Sequence, residues 1–389
     1  MNTQVDFSNQ APAEELELFR DMIVRALEQE MVPHYEQWER DGGTPRELWK
    51  TLGAAGLLCV DLPEKYGAAG ADFEVSQILL HESARLGFGG FTGGLNIHGN
   101  IVAPYIFHIG TEAQKDYWLP KMVTGEAVGA VAMTEPGAGS DLAGMRTSAV
   151  RDGDDYIING SKTFITNGSQ ADVVIVCAKT DVKAGSRGIS LFLVDTKTPG
   201  FSCGKKIEKI GQHAGDTVEL FFEDMRVPAS CILGQEGKGF VYLMQELPRE
   251  RLGVASQSMG AADGALALTI DYVQERKAFG KNIAQFQNTR FKLAELKTQM
   301  ELVRAYIEQC KVNYRQGKMT TEEASILKLS ATEMECKVVN ECLQLFGGYG
   351  YTVEYPISRF YVDARVQCIY AGTSEIMKEV ISRDLVGRG

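Results

Sequence analysis

The apolar residues of this chain change their period twice, and that double change constrains its fold more than any other feature. From Glu14 to Met31, residues Leu16, Phe19, Ile23, Leu27 and Met31 recur every three or four positions, the spacing of an amphipathic helix. Thr44-Pro45 predicts another helix start, with Thr44 as N-cap and Pro45 at the first helical position. Between Glu126 and Gly234 the period shortens. Val173–Cys177, Ile189–Val194 and Thr217–Phe222 are β-branched or aromatic runs bounded by Gly, Asp and Pro. Ile157-Ile158-Asn159-Gly160 followed by Lys162–Thr166 predicts a hairpin, because Asn-Gly accepts positive φ. From about Lys238 long helices return. Leu293, Leu296, Met300, Val303, Ile307 and Cys310 form the seam of a packed bundle, and Glu322–Phe346 is a further helix ending at Gly347-Gly348.

An α+β multidomain chain follows: an N-terminal α-helical domain (1–125), a central antiparallel β domain (126–234) and a C-terminal helical bundle (235–389). Alternating βαβ units are absent, which argues against a doubly wound nucleotide-binding domain. Junctions between such domains are common ligand sites.

Charge and cysteines exclude several functions. The net charge is −11 and no Lys/Arg block occurs, so no nucleic acid is expected as partner, although a basic pocket for one phosphate-bearing cofactor is allowed. No apolar run reaches the ~18 residues of a membrane span. Met1–Gln10 is polar and not Arg-rich, and Val386–Gly389 matches no peroxisomal or lipid-anchor signal, so a cytoplasmic location is expected. The eight cysteines contain no Cys-x-x-Cys pair and no His at zinc-ligand spacing. They are expected as reduced, buried thiols, and no metal site is expected.

Five segments carry candidate chemistry. Ala132-Met133-Thr134-Glu135-Pro136-Gly137-Ala138-Gly139-Ser140-Asp141 combines glycines that permit close backbone approach with two hydroxyls. It lacks the third glycine of a dinucleotide fingerprint, and composition alone fits a surface loop equally well. Phe164-Ile165-Thr166-Asn167 offers an aromatic and a hydroxyl to a flat ring, against the plainer reading of cross-strand packing. Glu275–Lys281 ends a predicted helix with Arg276 and Lys277, which can pair with phosphate or simply be solvated. Gln344–Tyr351 has more glycines than one C-cap needs. Tyr370-Ala371-Gly372-Thr373-Ser374-Glu375 is short and rich in small residues.

Together these segments resemble the acyl-CoA dehydrogenase family of flavoenzymes, over nearly the whole chain. Glu246–Leu252 and Tyr361–Gln367 are most similar to its long-chain branch. The resemblance implies noncovalent FAD, a homotetramer built as a pair of dimers, and an electron-transferring flavoprotein as acceptor. It implies that Val131, Met133, Thr134, Gly139 and Ser140, with Phe164, Ile165 and Thr166, hold the flavin ring. Thr134 would hydrogen-bond it, and Phe164 stands where many relatives have Trp. Arg276, Phe279, Gln287, Gln344, Gly347 and Gly348 would reach the adenosine diphosphate half of FAD on a neighbouring subunit, and Thr373 and Glu375 would complete the site. Ser140, Arg251, Gly372 and Arg383 would contact the CoA thioester.

The implied reaction is α,β-dehydrogenation in β-oxidation of fatty acids: a carboxylate removes the α-proton and the β-hydrogen leaves as hydride. Many relatives carry the base in Tyr-Glu-Gly-Thr; here Ala371 stands in its place and cannot take a proton. The long-chain and isovaleryl branches place the base before an Arg on a C-terminal helix. Glu250, followed by Arg251, occupies that position, with Glu246 as second candidate. Ala371 still supplies a backbone N–H for the thioester oxygen. Gly89-Gly90 and Gly93-Gly94 precede a predicted helix lining the acyl channel, leaving room for medium-to-long or branched chains. The competing readings are an oxygen-using oxidase, which is typically longer, and a silent acyl-CoA binder. A nicotinamide dehydrogenase lacks its phosphate loop here.

Overall fold

A computed structural model describes residues 12–387; the polar Met1–Gln10 segment and Arg388-Gly389 lie outside them. The first region is helical: α1 (Ala13–Glu30), α2 (Tyr35–Asp41), α3 (Glu47–Ala54), α4 (Phe73–Arg85), α5 (Gly89–Leu95), α6 (Ala103–Ile109) and α7 (Glu112–Val123). The stripe on α1 is the buried one, with Leu16, Ile23 and Leu27 inside the N-terminal core. Helix α3 starts two residues later than Thr44-Pro45 predicts, and Arg46 is its N-cap residue. Thr44 instead gives its carbonyl to Gln170 Nε2, which satisfies the group elsewhere. The four glycines at 89, 90, 93 and 94 do not precede a helix; they lie within α5. Between α5 and α6 the chain continues as a π-helical segment, Asn96–Val102.

Seven strands follow: β1 (Gly129–Ala132), β2 (Ser148–Asp152), β3 (Asp155–Thr166), β4 (Val173–Lys179), β5 (Ile189–Asp195), β6 (Phe201–Lys206) and β7 (Thr217–Pro228). They form one sheet in the order β1-β4-β2-β3-β7-β6, with β5 on β4. Most pairs are antiparallel, but β1 runs parallel to β4 and β2 meets β4 in parallel at Ser148↔Lys179. The hairpin predicted at Asn159-Gly160 is absent, since β3 runs straight through it with a register shift against β7. Gly160 sits at φ +149, and a Cβ there would lie 2.5 Å from Thr147 Oγ1, so the glycine serves close strand packing. The real tight turn is Gly153-Asp154, between Asp152 and Asp155.

The last region holds α8 (Gly239–Glu275), a small ribbon of β8 (Lys277–Ala278) and β9 (Lys281–Asn282), then α9 (Gln287–Arg315), α10 (Thr321–Phe346), α11 (Pro356–Ala364) and α12 (Ser374–Val386). On α9, Leu296, Met300, Val303, Ile307 and Cys310 are buried, with Leu293 packed beside them. At roughly 1.5–3 kcal/mol for each large apolar side chain, this packing outweighs helix propensity. Thr320 and Glu323 close a capping box at the start of α10.

A separate core cluster joins all three regions. It contains Tyr105 of α6, Leu119 of α7, Val131 of β1, Cys177 of β4 and Leu243 of α8. The eight cysteines are unpaired; Cys59, Cys177, Cys310 and Cys342 are buried, whereas Cys203 is exposed.

Candidate active site

Helix α8 enters that shared core carrying two carboxylates one turn apart. Glu250 is buried, and its Oε1 accepts a 2.8 Å hydrogen bond from the Tyr105 hydroxyl. Burial pushes the Glu250 carboxyl up to about 7; Tyr105 opposes the rise and the nearby Glu246 charge adds to it. Glu246 is itself engaged by His108 Nδ1 at 2.9 Å. The second candidate is therefore already tied to another side chain. Pro248 lies inside α8 between them and has no N–H for the carbonyl one turn back.

Arg251 is buried. Its Nη1 donates to Ser325 Oγ at 2.9 Å, while its Nε has no partner among the described residues. A Cβ on Gly372 would lie 4.0 Å from Arg251 Nη2, so the Ala371-Gly372 turn stands beside the Arg251 head group. Ala371 has φ +51, an uncommon conformation for a residue with a side chain. Lys328 of α10 holds this turn: its Nζ donates to the Gly372 carbonyl at 2.8 Å, it has 0% exposure, and burial pulls its pKa down to about 8. Thr373 caps α12 through Ile376 N–H, with exposed Glu375 following.

A second group forms where β1 leads into the Gly-rich loop. Thr163 N–H donates to the Thr134 carbonyl at 2.9 Å, and Lys162 Nζ donates to the Met133 carbonyl at 3.0 Å. Those bonds bring Val131–Ser140 against Phe164–Thr166. Glu135 stiffens the loop by accepting from Arg146 N, Thr147 N and Lys162 Nζ, and these donors hold its carboxyl below the usual range against the cost of burial. Ile165 points into the sheet core. Phe164 is 64% exposed at φ +58, a large ring presented outward by a strained backbone. A Cβ added to Gly137 or Gly139 would meet nothing within 4 Å, so both leave room beside the loop.

The third group is exposed. Arg276 lies 5.3 Å from the Tyr349 ring, which joins the end of α8 to the loop after α10. Phe279, 96% exposed, tips the β8–β9 turn, and Gln287 and Gln344 are exposed too. Gly347 and Gly348 also face open space. Arg383 stands apart: it lies in the last turn of α12, exposed and paired with Glu379.

Sequence reasoning missed Tyr105, Glu135, Lys162 and Lys328. A lysine within an apolar strand was the one available signal for Lys162. On α5, a Cβ at Gly89 would meet Asp363 Oδ2 at 2.8 Å, at Gly90 the Gly215 nitrogen at 2.8 Å, and at Gly94 Asn167 Oδ1 at 2.6 Å. Gly93 alone of the four faces open space.

Three family models match the chain: the acyl-CoA dehydrogenase N-terminal domain over residues 13–126, its middle domain over 130–225 and its C-terminal domain over 237–386. The long-chain specific acyl-CoA dehydrogenase, mitochondrial, of Sus scrofa is 48% identical over 375 residues, 96% of this chain and 86% of that protein. An acyl-CoA dehydrogenase crystal structure from Geobacillus kaustophilus aligns with a TM-score of 0.94 at 49% identity, covering 97% of this chain and 99% of that one. A glutaryl-CoA dehydrogenase from Mycobacterium smegmatis in complex with FADH2 aligns with a TM-score of 0.91 at 33% identity, covering 97% and 96%.

Proposed function

The chain belongs to the acyl-CoA dehydrogenase family, and on that premise we propose that it dehydrogenates an acyl-CoA thioester with Glu250 as the α-proton base. The observation that carries this reading is a buried carboxyl, raised to about 7 and held by Tyr105, next in sequence to Arg251, whose head group stands beside Gly372. A base near neutrality can both take a proton and release it.

FAD is the proposed cofactor. The open glycines of Gly137–Gly139 and Gly347-Gly348 and the outward ring of Phe164 fit a flat, phosphate-bearing group. Val131, Met133, Thr134, Gly139, Ser140 and Phe164–Thr166 would hold its ring, with Thr373 and Glu375 at its edge. When bound, the flavin supplies an acceptor for the β-hydride. Arg276, Phe279, Gln287 and Gln344–Gly348 form an exposed face suited to a cofactor shared with a neighbouring subunit of a homotetramer.

The protein's own share of the chemistry is local. Tyr105 fixes Glu250 Oε1, and the other oxygen takes the α-proton. The Ala371 N–H steadies the charge that develops on the thioester oxygen, and Lys328 keeps that backbone turned. Arg251 and Ser140 bind the CoA thioester. Medium-to-long acyl chains are the proposed substrates, entering past Gly93, and an electron-transferring flavoprotein is the proposed acceptor.

Glu250→Gln tests the base. The variant should keep its flavin, yet octanoyl-CoA should no longer bleach the flavin's visible absorbance under anaerobic conditions. Bleaching at the wild-type rate would sink the assignment. The same variant should be more stable. A carboxyl whose folded pKa lies above its unfolded value costs stability once the pH passes the unfolded value, and the cost is complete above the folded one. The gain should grow from little at pH 5 to about 1–3 kcal/mol at pH 8.

A further inference from the structure

Glu250 and Gln257 are seven residues apart on α8, two turns, and so share one face of the helix, separated by about 10 Å. The Ala371 turn touches this helix at two places, Gly372 standing beside the Arg251 head group. Its neighbour Tyr370 brings its hydroxyl to Gln367 and to within 3.5 Å of Gln257 Oε1. An acyl chain whose α-carbon lies at Glu250 and which runs along α8 therefore meets Gln257 after roughly eight further carbons.

The surroundings of Gln257 are polar. A cavity of about 10 Å³, with room for one water-sized group, is lined by Thr92, Gln212, Gln257, Glu335, Asp363 and Gln367 among others. Gln257 and Glu335 are each 1% exposed. Gln257 Nε2, Glu335 Oε2 and Gln212 Nε2 have no hydrogen-bond partner among the described residues. Buried polar atoms of this kind are normally satisfied. Burial also drives the Glu335 carboxyl well above its ordinary value, favouring the protonated form, which can give as well as accept a hydrogen bond. An alkyl end placed here would leave these groups unpaired. A hydroxyl would both donate and accept.

We infer that this cavity is a subsite for a polar chain terminus, and that the enzyme takes ω-hydroxyacyl-CoA thioesters of about ten carbons in preference to alkyl chains of equal length. The inference rests on the acyl-CoA reading above. Thr92, which lines the cavity, precedes Gly93, the open position on α5.

The test is anaerobic flavin reduction with paired substrates: octanoyl and 8-hydroxyoctanoyl-CoA, decanoyl and 10-hydroxydecanoyl-CoA, dodecanoyl and 12-hydroxydodecanoyl-CoA. At the length that reaches the cavity, the ω-hydroxyl should raise kcat/KM by about tenfold or more, whereas the eight-carbon pair should favour the alkyl chain. Glu335→Leu should abolish the hydroxyl preference and improve the longer alkyl substrate. If that variant does not fold, the wild-type ratios decide by themselves. Alkyl chains reduced as well as their hydroxylated partners at every length would overturn the subsite and leave a water-filled pocket. Reduction by neither series would instead overturn the acyl-CoA reading.

Discussion

Tyr105→Phe isolates the one hydrogen bond that holds the proposed base. The ring stays in the shared core, so packing is retained, and only the 2.8 Å bond to Glu250 Oε1 is lost. That bond favours the ionised carboxylate, and its removal must raise the Glu250 pKa. A hydrogen bond to a charged group contributes about 1.5–3 kcal/mol, and one pKa unit corresponds to about 1.4 kcal/mol, so the rise should be roughly one to two units. From a starting value of about 7, the alkaline-going limb of flavin reduction should move to about 8–9. At pH 7 the ionised fraction falls from about half to between a tenth and a hundredth, slowing reduction about 5- to 50-fold. Above pH 9.5 most of the rate should return. Stopped-flow flavin reduction by octanoyl-CoA, followed from pH 6 to 10, reads this directly. A limb that does not move would refute the reasoning, as would a rate lost equally at every pH.

Two further outcomes follow from neighbouring contacts. Lys328→Met strips the Gly372 carbonyl of its donor; flavin reduction should slow by about tenfold or more with flavin content unchanged, and Lys328→Arg should restore part of it. An unaltered rate in Lys328→Met would mean that the turn holds itself. On α5, Gly93→Ala should leave the stability unchanged or raise it by up to roughly 1 kcal/mol of helix propensity, read as an unchanged or higher melting temperature, whereas Gly94→Ala should lower it, because its Cβ meets Asn167 Oδ1 at 2.6 Å.

The helical and β regions were legible because their period reports which face is buried. The stripe from Leu296 to Cys310 is the plainest case. Local turn chemistry was less reliable. Asn159-Gly160 carries a strong hairpin signal, yet the space behind it is filled by Thr147, and tertiary packing used the glycine for proximity. The parallel pairing of β1 with β4 joins Gly129 to Val173, a contact that no local pattern announces. Motif position singled out Glu250, and an apolar setting for a base already implied a raised pKa; the partners that tune it were not legible, because they come from distant parts of the fold. Tyr105 lies 145 residues from Glu250, and Lys328 44 from Gly372, so their roles exist only once the helices have packed.

The π-helical segment Asn96–Val102 joins α5 to α6 without a break and sits immediately ahead of Tyr105. A π turn holds an extra residue compared with an α turn, so it acts as an angular offset along one continuous rod. Deleting a single residue there would let the rod wind as a plain α-helix and leave Tyr105 facing nearly the same way, because the π turn absorbs that one residue. Losing the π turn with every residue kept would instead rotate everything beyond it by about 100° and swing Tyr105 away from Glu250. Homologues that keep the residue count in this segment but wind it as α would thus change how their base is tuned while Gly93, which lies ahead of it, stays in place.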